Sequence, residues 1–148
     1  MCLLEHIVSW DSASVILRTL SHRSPDNPLR NSNGRIRALH LCEYGAQAMA
    51  VHGALISRAA GERPKPGLLV SLRAVRLLRD FIDDICEPLE VRATLLLASA
   101  ESWQYAFSVR TAQELLAEGR AAILARDAER QSQYPRSAKD SAKDNDEL

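Results

Sequence analysis

The sequence predicts an α+β domain in which one long helix is followed by antiparallel strands that curve around it. Two observations lead there. Over residues 37–58, Leu39, Cys42, Ala46, Met49, Ala50 and Gly53 recur at three- and four-residue spacing, which marks one face of a helix. Beyond residue 88 the apolar period drops to two, the pattern of half-buried strands.

Residues 3–8 and 14–20 read as short strands, the second rich in β-branched Val15, Ile16 and Thr19, with Asp11, Ser12 and Ser14 making the turn. Residues 21–34 (SHRSPDNPLRNSNG) carry two prolines, three asparagines and a glycine, the composition of a loop. The long helix follows and is closed by Gly61, Pro64, Pro66 and Gly67. Residues 68–77 form another strand, broken by the acidic loop 80–87 and Pro88. Next, Leu89, Val91, Ala93, Leu95 and Leu97 alternate with Glu90, Arg92 and Thr94. Trp103, Tyr105, Phe107 and Val109 alternate with Gln104, Ser108 and Arg110, and residues 99–102 join the two runs as a hairpin.

Segment 114–126 (ELLAEGRAAILAR) pulls two ways. Its Ala, Leu, Glu and Arg favour helix, whereas its place after a two-strand meander favours one more strand, with Gly119 as a bulge. We assign it as a strand. From residue 127 apolar residues give out and SAKD occurs twice in tandem, at 137–140 and 141–144. The expectation is a folded domain over 1–126 and a disordered polar tail over 127–148, too poor in apolar surface to offset its ordering entropy. A single long helix after a strand and before three or four antiparallel strands is the order of the hotdog fold. Because one helix covers only one face, such sheets commonly pair edge to edge into dimers.

Bulk properties narrow the function. A chain of 148 residues, 46% hydrophobic, supports one domain with a proper core. Its 19 basic and 19 acidic side chains cancel, which argues against nucleic acid or an anionic membrane as the main partner. Basic residues do gather over 18–37 and 73–79. Cys2, Cys42 and Cys86 make neither a disulfide framework nor a zinc spacing, so no metal is expected and the thiols point to a reducing cytoplasm. Cys42 reads as a small core hydrophobe. The longest apolar runs fall far short of a bilayer span, and a cytosolic protein is expected.

The residue that fits its surroundings least is Glu43, a carboxylate inside the apolar helix stripe with Gln47 one turn further on. An acid on a buried helix face is costly unless paired or protonated, so such acids tend to belong to sites. The alternative is an acid satisfied by a buried arginine or by loop N–H groups.

The segment EYGAQAMAVHGAL, 43–55, resembles the central-helix motif of hotdog-fold 3-hydroxyacyl-[acyl-carrier-protein] dehydratases, in which Gln follows Glu or Asp by four residues among small side chains. The nearer resemblance is to the ApeP-type proteins of aryl polyene and xanthomonadin pigment clusters. Their stretch NPL…GR.PA…EYMAQA.A.H is similar to Asn27, Pro28 and Leu29, then Gly34 and Arg35, Ala38, and residues 43–52 here. Their PGxL and GEPLxVRAxLL strands are similar to residues 66–69 and 87–96. The resemblance spans about residues 1–126. Two departures stand out. The family leader resembling LPHRPPMLLLD is met only from its middle, at Met1, Cys2, Leu3 and Leu4, so a start further upstream or a lost leader is expected. The dehydratases also place a catalytic His in a GHFPG loop before the helix, and residues 27–34 contain none; His22 comes several residues too early.

The resemblance implies a hotdog domain that dehydrates 3-hydroxyacyl chains carried on the phosphopantetheine of an acyl carrier protein, without a cofactor. The partner in a shared tunnel would be a second copy or a related dehydratase. It assigns acid–base work to Glu43, which Gln47 would orient unless Gln47 bonds the substrate directly. The helix N-terminus over 37–40 would polarise the thioester carbonyl through free N–H groups. His40, three residues before Glu43, is the candidate to replace the loop His, against a plainer reading as a partly exposed helix residue. Asn27, Asn31 and Gly34 are candidate substrate contacts in the loop, against a plainer role as turn formers. His52 falls off the Glu43 face and reads as packing; Tyr44 and Trp103 read as packing against the sheet or dimer seam, with lining of an aromatic-polyene tunnel as the alternative. Arg73, Arg76 and Arg79 could meet the acidic carrier protein or its phosphate, or simply be a solvated strand edge. Two alternatives stay open: a non-catalytic partner subunit of an active hotdog dehydratase, and a hotdog acyl-thioesterase using Glu43.

Overall fold

A computed structural model describes residues 1–126; the expected tail, 127–148, lies outside the described residues. Two strands open the fold, β1 (His6–Trp10) and β2 (Ser14–Thr19). A short 3₁₀ turn (Ala38–His40) leads into helix α1 (Leu41–Ala59), and four strands follow: β3 (Gly67–Leu77), β4 (Leu89–Ala98), β5 (Ser102–Arg110) and β6 (Leu115–Ala125). All six strands join one antiparallel sheet in the order β1-β2-β4-β5-β6-β3. This is the α+β hotdog arrangement, and segment 114–126 is a strand, as its position in the chain required.

Helix α1 packs on β2, β4, β5 and β6, whose inward residues Val15, Leu17, Val91, Ala93, Tyr105, Phe107, Val109 and Ala117 make the core. Close approach is possible because Gly45 faces Phe107: a Cβ at 45 would lie 2.5 Å from Phe107 Cδ2, and one at Gly119 would lie 2.8 Å from Phe107 Cε1. Phe107 is therefore sandwiched between two glycines, one on the helix and one on β6. The turn between β1 and β2 forms as its sequence predicts, with Asp11 Oδ1 accepting the N–H groups of Ala13 and Ser14 at 2.8 Å each. Those two bonds hold the Asp11 carboxyl below its usual range.

Acidic loop 80–87 is more than a strand break. Ala38 N–H donates to Asp80 O, Ile82 N–H to Ile36 O, and Arg35 stacks 3.5 Å from the Phe81 ring centroid while pairing with Asp83. The loop thus fixes where the helix begins. Strand β3 departs from simple pairing twice, with bulges between Leu69 and Ser71 and between Arg73 and Arg76. Within the second, Ala74 takes φ +51°, the one non-glycine residue with positive φ among those described.

Candidate functional site

The predicted helix exists, but its buried face differs from the one expected. Leu41, Tyr44, Gly45, Ala48, Met49 and His52 point into the core. Leu39, Glu43 and Ala50 are exposed, and Cys42, Ala46 and Gly53 are only half-buried. Glu43 is therefore not a buried acid. The stripe around it is made of small residues that leave a surface open instead of filling the core. Both faces satisfy helical spacing; side-chain size separates them, because Leu41, Tyr44 and Met49 bring bulk that Ala46, Ala50 and Gly53 lack.

That open face forms one wall of a cleft of ≈ 790 Å³. Ala46, Ala50, Gly53 and Ser57 line it from the helix, Leu69 from β3, and Leu95, Trp103 and Tyr105 from the β4–β5 pair. From Ala46 to Ser57 the helical wall runs about 16 Å. Glu43 stands on the same stripe, one turn before Ala46, exposed and outside the residues that line the cleft. A volume of this size suits a small ligand or an extended acyl chain.

Gln47 organises the surroundings of Glu43. Its Nε2 donates to Glu43 Oε1 at 3.2 Å and to Met1 O at 3.1 Å, while its Oε1 accepts Leu3 N–H at 2.8 Å. The side chain thus ties the N-terminal segment to the helix and braces the carboxylate at once. Glu43 takes its bond from Gln47, and none joins it to half-buried His40 among the described residues. The 3₁₀ turn occupies part of the helix entrance: Ala38 N–H goes to Asp80 O and His40 N–H to Arg37 O, and no side chain caps α1.

Three loop candidates face inward or into turns. Asn27 is buried, donating to Ser21 O at 2.9 Å and Tyr44 Oη at 3.3 Å and accepting Leu29 N–H at 2.9 Å. Asn31 Oδ1 accepts the N–H groups of Asn33 and Arg35, and Gly34 supplies φ +75° to close that turn. Arg30 ties the same loop together through bonds to Ser24 O, Gly34 O and His22 O.

Sequence reasoning gave Tyr105 no part in the site, although it joins the channel wall to the core. His52 Nε2 lies 2.9 Å from Asp11 O, and a carbonyl can only accept, so this nitrogen carries the proton. His52 Nδ1 then accepts from Tyr105 Oη at 2.9 Å, and burial pushes the Tyr105 phenol up to about 12. The phenol stays neutral and acts as a fixed donor. Its only sequence signal was a polar tip in an otherwise apolar strand face.

The three arginines at 73, 76 and 79 separate. Arg76 pairs with Glu118 at 2.7 Å, and Arg79 with Asp84 at 3.1 Å and Glu114 at 3.6 Å. Arg73 makes no ion pair among the described residues. Burial raises the Cys42 thiol, in keeping with a packing role.

Comparison with known proteins places these features in a family. A model described as ApeP-like, ApeP dehydratase, matches residues 1–134. A comparison with curated sequences returns no match. Among solved structures, the dehydratase heterocomplex ApeI:P from Xenorhabdus doucetiae superposes with a TM-score of 0.80 at 21% identity, covering 89% of this chain and 88% of that one. The conserved protein PA5202 from Pseudomonas aeruginosa gives 0.59 at 18% identity, covering 80% and 86%. A hypothetical thioesterase with coenzyme A from Streptococcus pneumoniae TIGR4 gives 0.60 at 10% identity, covering 82% and 84%. At these identities the structures share the fold.

Proposed function

The chain belongs to the ApeP-like dehydratase family, and on that premise we propose that it is one subunit of a two-subunit 3-hydroxyacyl-[acyl-carrier-protein] dehydratase, with Glu43 as its acid–base group. One observation carries this reading: Glu43 stands in the open, braced by Gln47, one helical turn before the residues with which its own helix lines an apolar cleft. A carboxylate in water has no catalytic advantage. Covered by a second hotdog subunit, the same group would face a desolvated acyl chain.

Dehydration removes the C2 proton of the thioester and releases the C3 hydroxyl, with a proton, as water. Glu43 supplies one of the two proton-transfer groups, and the second subunit supplies the other, since residues 27–34 hold no histidine. The acyl chain, borne on a carrier protein's phosphopantetheine, lies along Ala46, Ala50 and Gly53, and Tyr105 and Trp103 form the opposite wall. The partner is a related hotdog dehydratase, by analogy with the dehydratase heterocomplex ApeI:P from Xenorhabdus doucetiae. The pathway is the cytoplasmic assembly of an aryl polyene or xanthomonadin type of pigment.

The test uses purified protein, alone and mixed with a related dehydratase subunit, on a 3-hydroxyacyl carrier substrate, with products read by mass spectrometry. Enoyl product from the mixture that falls about 100-fold or more with Glu43→Gln supports the assignment. Full activity of that variant in the mixture would make this chain a non-catalytic partner, a reading favoured by its histidine-free loop. Release of free acid would make it a thioesterase.

A further inference from the structure

The sheet's outer face, turned away from helix and channel, carries an arrangement that the dehydratase reading does not use. Arg73 on β3 and Arg120 on β6 are direct cross-strand partners. Directly opposed residues on one face hold their Cβ atoms about 5 Å apart, and like charges there oppose pairing. Elsewhere on this face the sheet avoids that cost. Arg18 and Arg110 both sit opposite Glu90, and Arg76 sits opposite Glu118. Only at Arg73 and Arg120 does arginine face arginine among the described residues.

The space beside the pair is not filled. Arg73, Arg120, Ser71, Gln104, Leu96 and Ala122 surround a recess of ≈ 170 Å³. It opens because Arg120's partner on β5 is Ala106, and because bulges in β3 and β4 bend the strands beside it. The polar side chains around it are two guanidinium forks, the Gln104 amide and the Ser71 hydroxyl, with no carboxylate; Tyr105 also borders it but commits its own hydroxyl to His52 in the core. Neither guanidinium makes an ion pair or a side-chain hydrogen bond among the described residues.

We propose that this recess is an oxyanion site that takes a phosphate group, free or carried as the monoester of a small metabolite. A phosphate dianion has the charge to offset both guanidinium groups and the oxygens to engage their paired donors, while Gln104 and Ser71 add neutral donors. The recess lies on the opposite face of the sheet from the channel, so the inference stands independently of the Glu43 assignment.

Calorimetric titration with inorganic phosphate and with glycerol 3-phosphate tests it, using the full chain at constant ionic strength. The expected result is saturable one-to-one binding, weakened about tenfold or more in both Arg73→Gln and Arg120→Gln. Tighter binding of the ester identifies a phosphometabolite as the ligand, and equal binding identifies the free ion. Because either substitution removes like-charge repulsion, both variants should melt higher than the parent in phosphate-free buffer, and added phosphate should close that gap. The proposal is overturned if phosphate does no more than sodium chloride at matched ionic strength, or if both variants bind as the parent does.

Discussion

A buried imidazole with one unmatched ring nitrogen is stable only while it stays neutral. His22 is fully enclosed; its Nε2 donates to Ile85 O at 3.0 Å, and its Nδ1 has no partner among the described residues. Burial lowers its pKa from the ordinary 6.5. The unfolded chain therefore binds this proton more readily than the folded one does, so stability is greatest above 6.5 and falls as the pH drops below it. The slope from this one group has an upper limit of about 1.4 kcal/mol per pH unit, the value for one whole proton. Chemical denaturation from pH 7 down to about pH 5 should show a smaller slope in His22→Gln, whatever that variant's starting stability. Ala74 makes an opposite prediction. A left-handed alanine costs about 1–2 kcal/mol, so Ala74→Gly should raise the denaturation midpoint by an amount worth about 1 kcal/mol despite glycine's greater unfolded freedom. An unchanged or lower midpoint would mean that the bulge carries no strain.

At the scale of the element, the helix and sheet are held at a distance set by Phe107. With Gly45 and Gly119 on either side of its ring, a methyl group at 45 has nowhere to go. Gly45→Ala should cost about 1–3 kcal/mol, and combining it with Phe107→Leu should cost less than the two changes added together. Additive costs in a double-mutant cycle would show that the ring is free to move. The same elements explain which parts of the fold were legible. Strands β4 and β5 could be read because one face is buried and one is wet, which leaves a clean period of two. Strand β6 was ambiguous because Ala117, Ala121 and Ala122 suit a helix locally, and only pairing with β5 and β3 decides the matter. Of the candidate site, the Glu43–Gln47 contact was legible and its surroundings were misread. Glu43 and Gln47 do meet, but small residues beside them imitate a buried stripe. Asn27 gave no sign that its amide would be spent on Ser21 and Tyr44, partners brought to it by tertiary folding.

For the whole molecule, the decisive fact is what one copy leaves uncovered. Strand β3 lies at the edge of the sheet, beyond the main footprint of α1, and exposes Leu68, Leu69, Val70 and Leu72. The channel and Glu43 share that openness. On the proposed function, a related dehydratase subunit would cover them and bind the native state alone, so mixing the two should raise the melting temperature, and the rise should grow with concentration. Glu43→Gln should keep this stabilisation while losing turnover, because among the described residues the carboxylate's only hydrogen bond comes from Gln47. Loss of both together would assign Glu43 to assembly in place of chemistry.

Strand β3 also contains one more amino acid than its ladder requires at Ala74, since Arg73 and Arg76 lie opposite Arg120 and Glu118. Removing a single residue from most strands turns the remainder inside out. Here, excising Ala74 would draw the chain taut with Val75 opposite Gly119, and Arg76 and Leu77 would keep their present sides. Length variation that would ruin a regular stretch of strand is thus tolerable at this point.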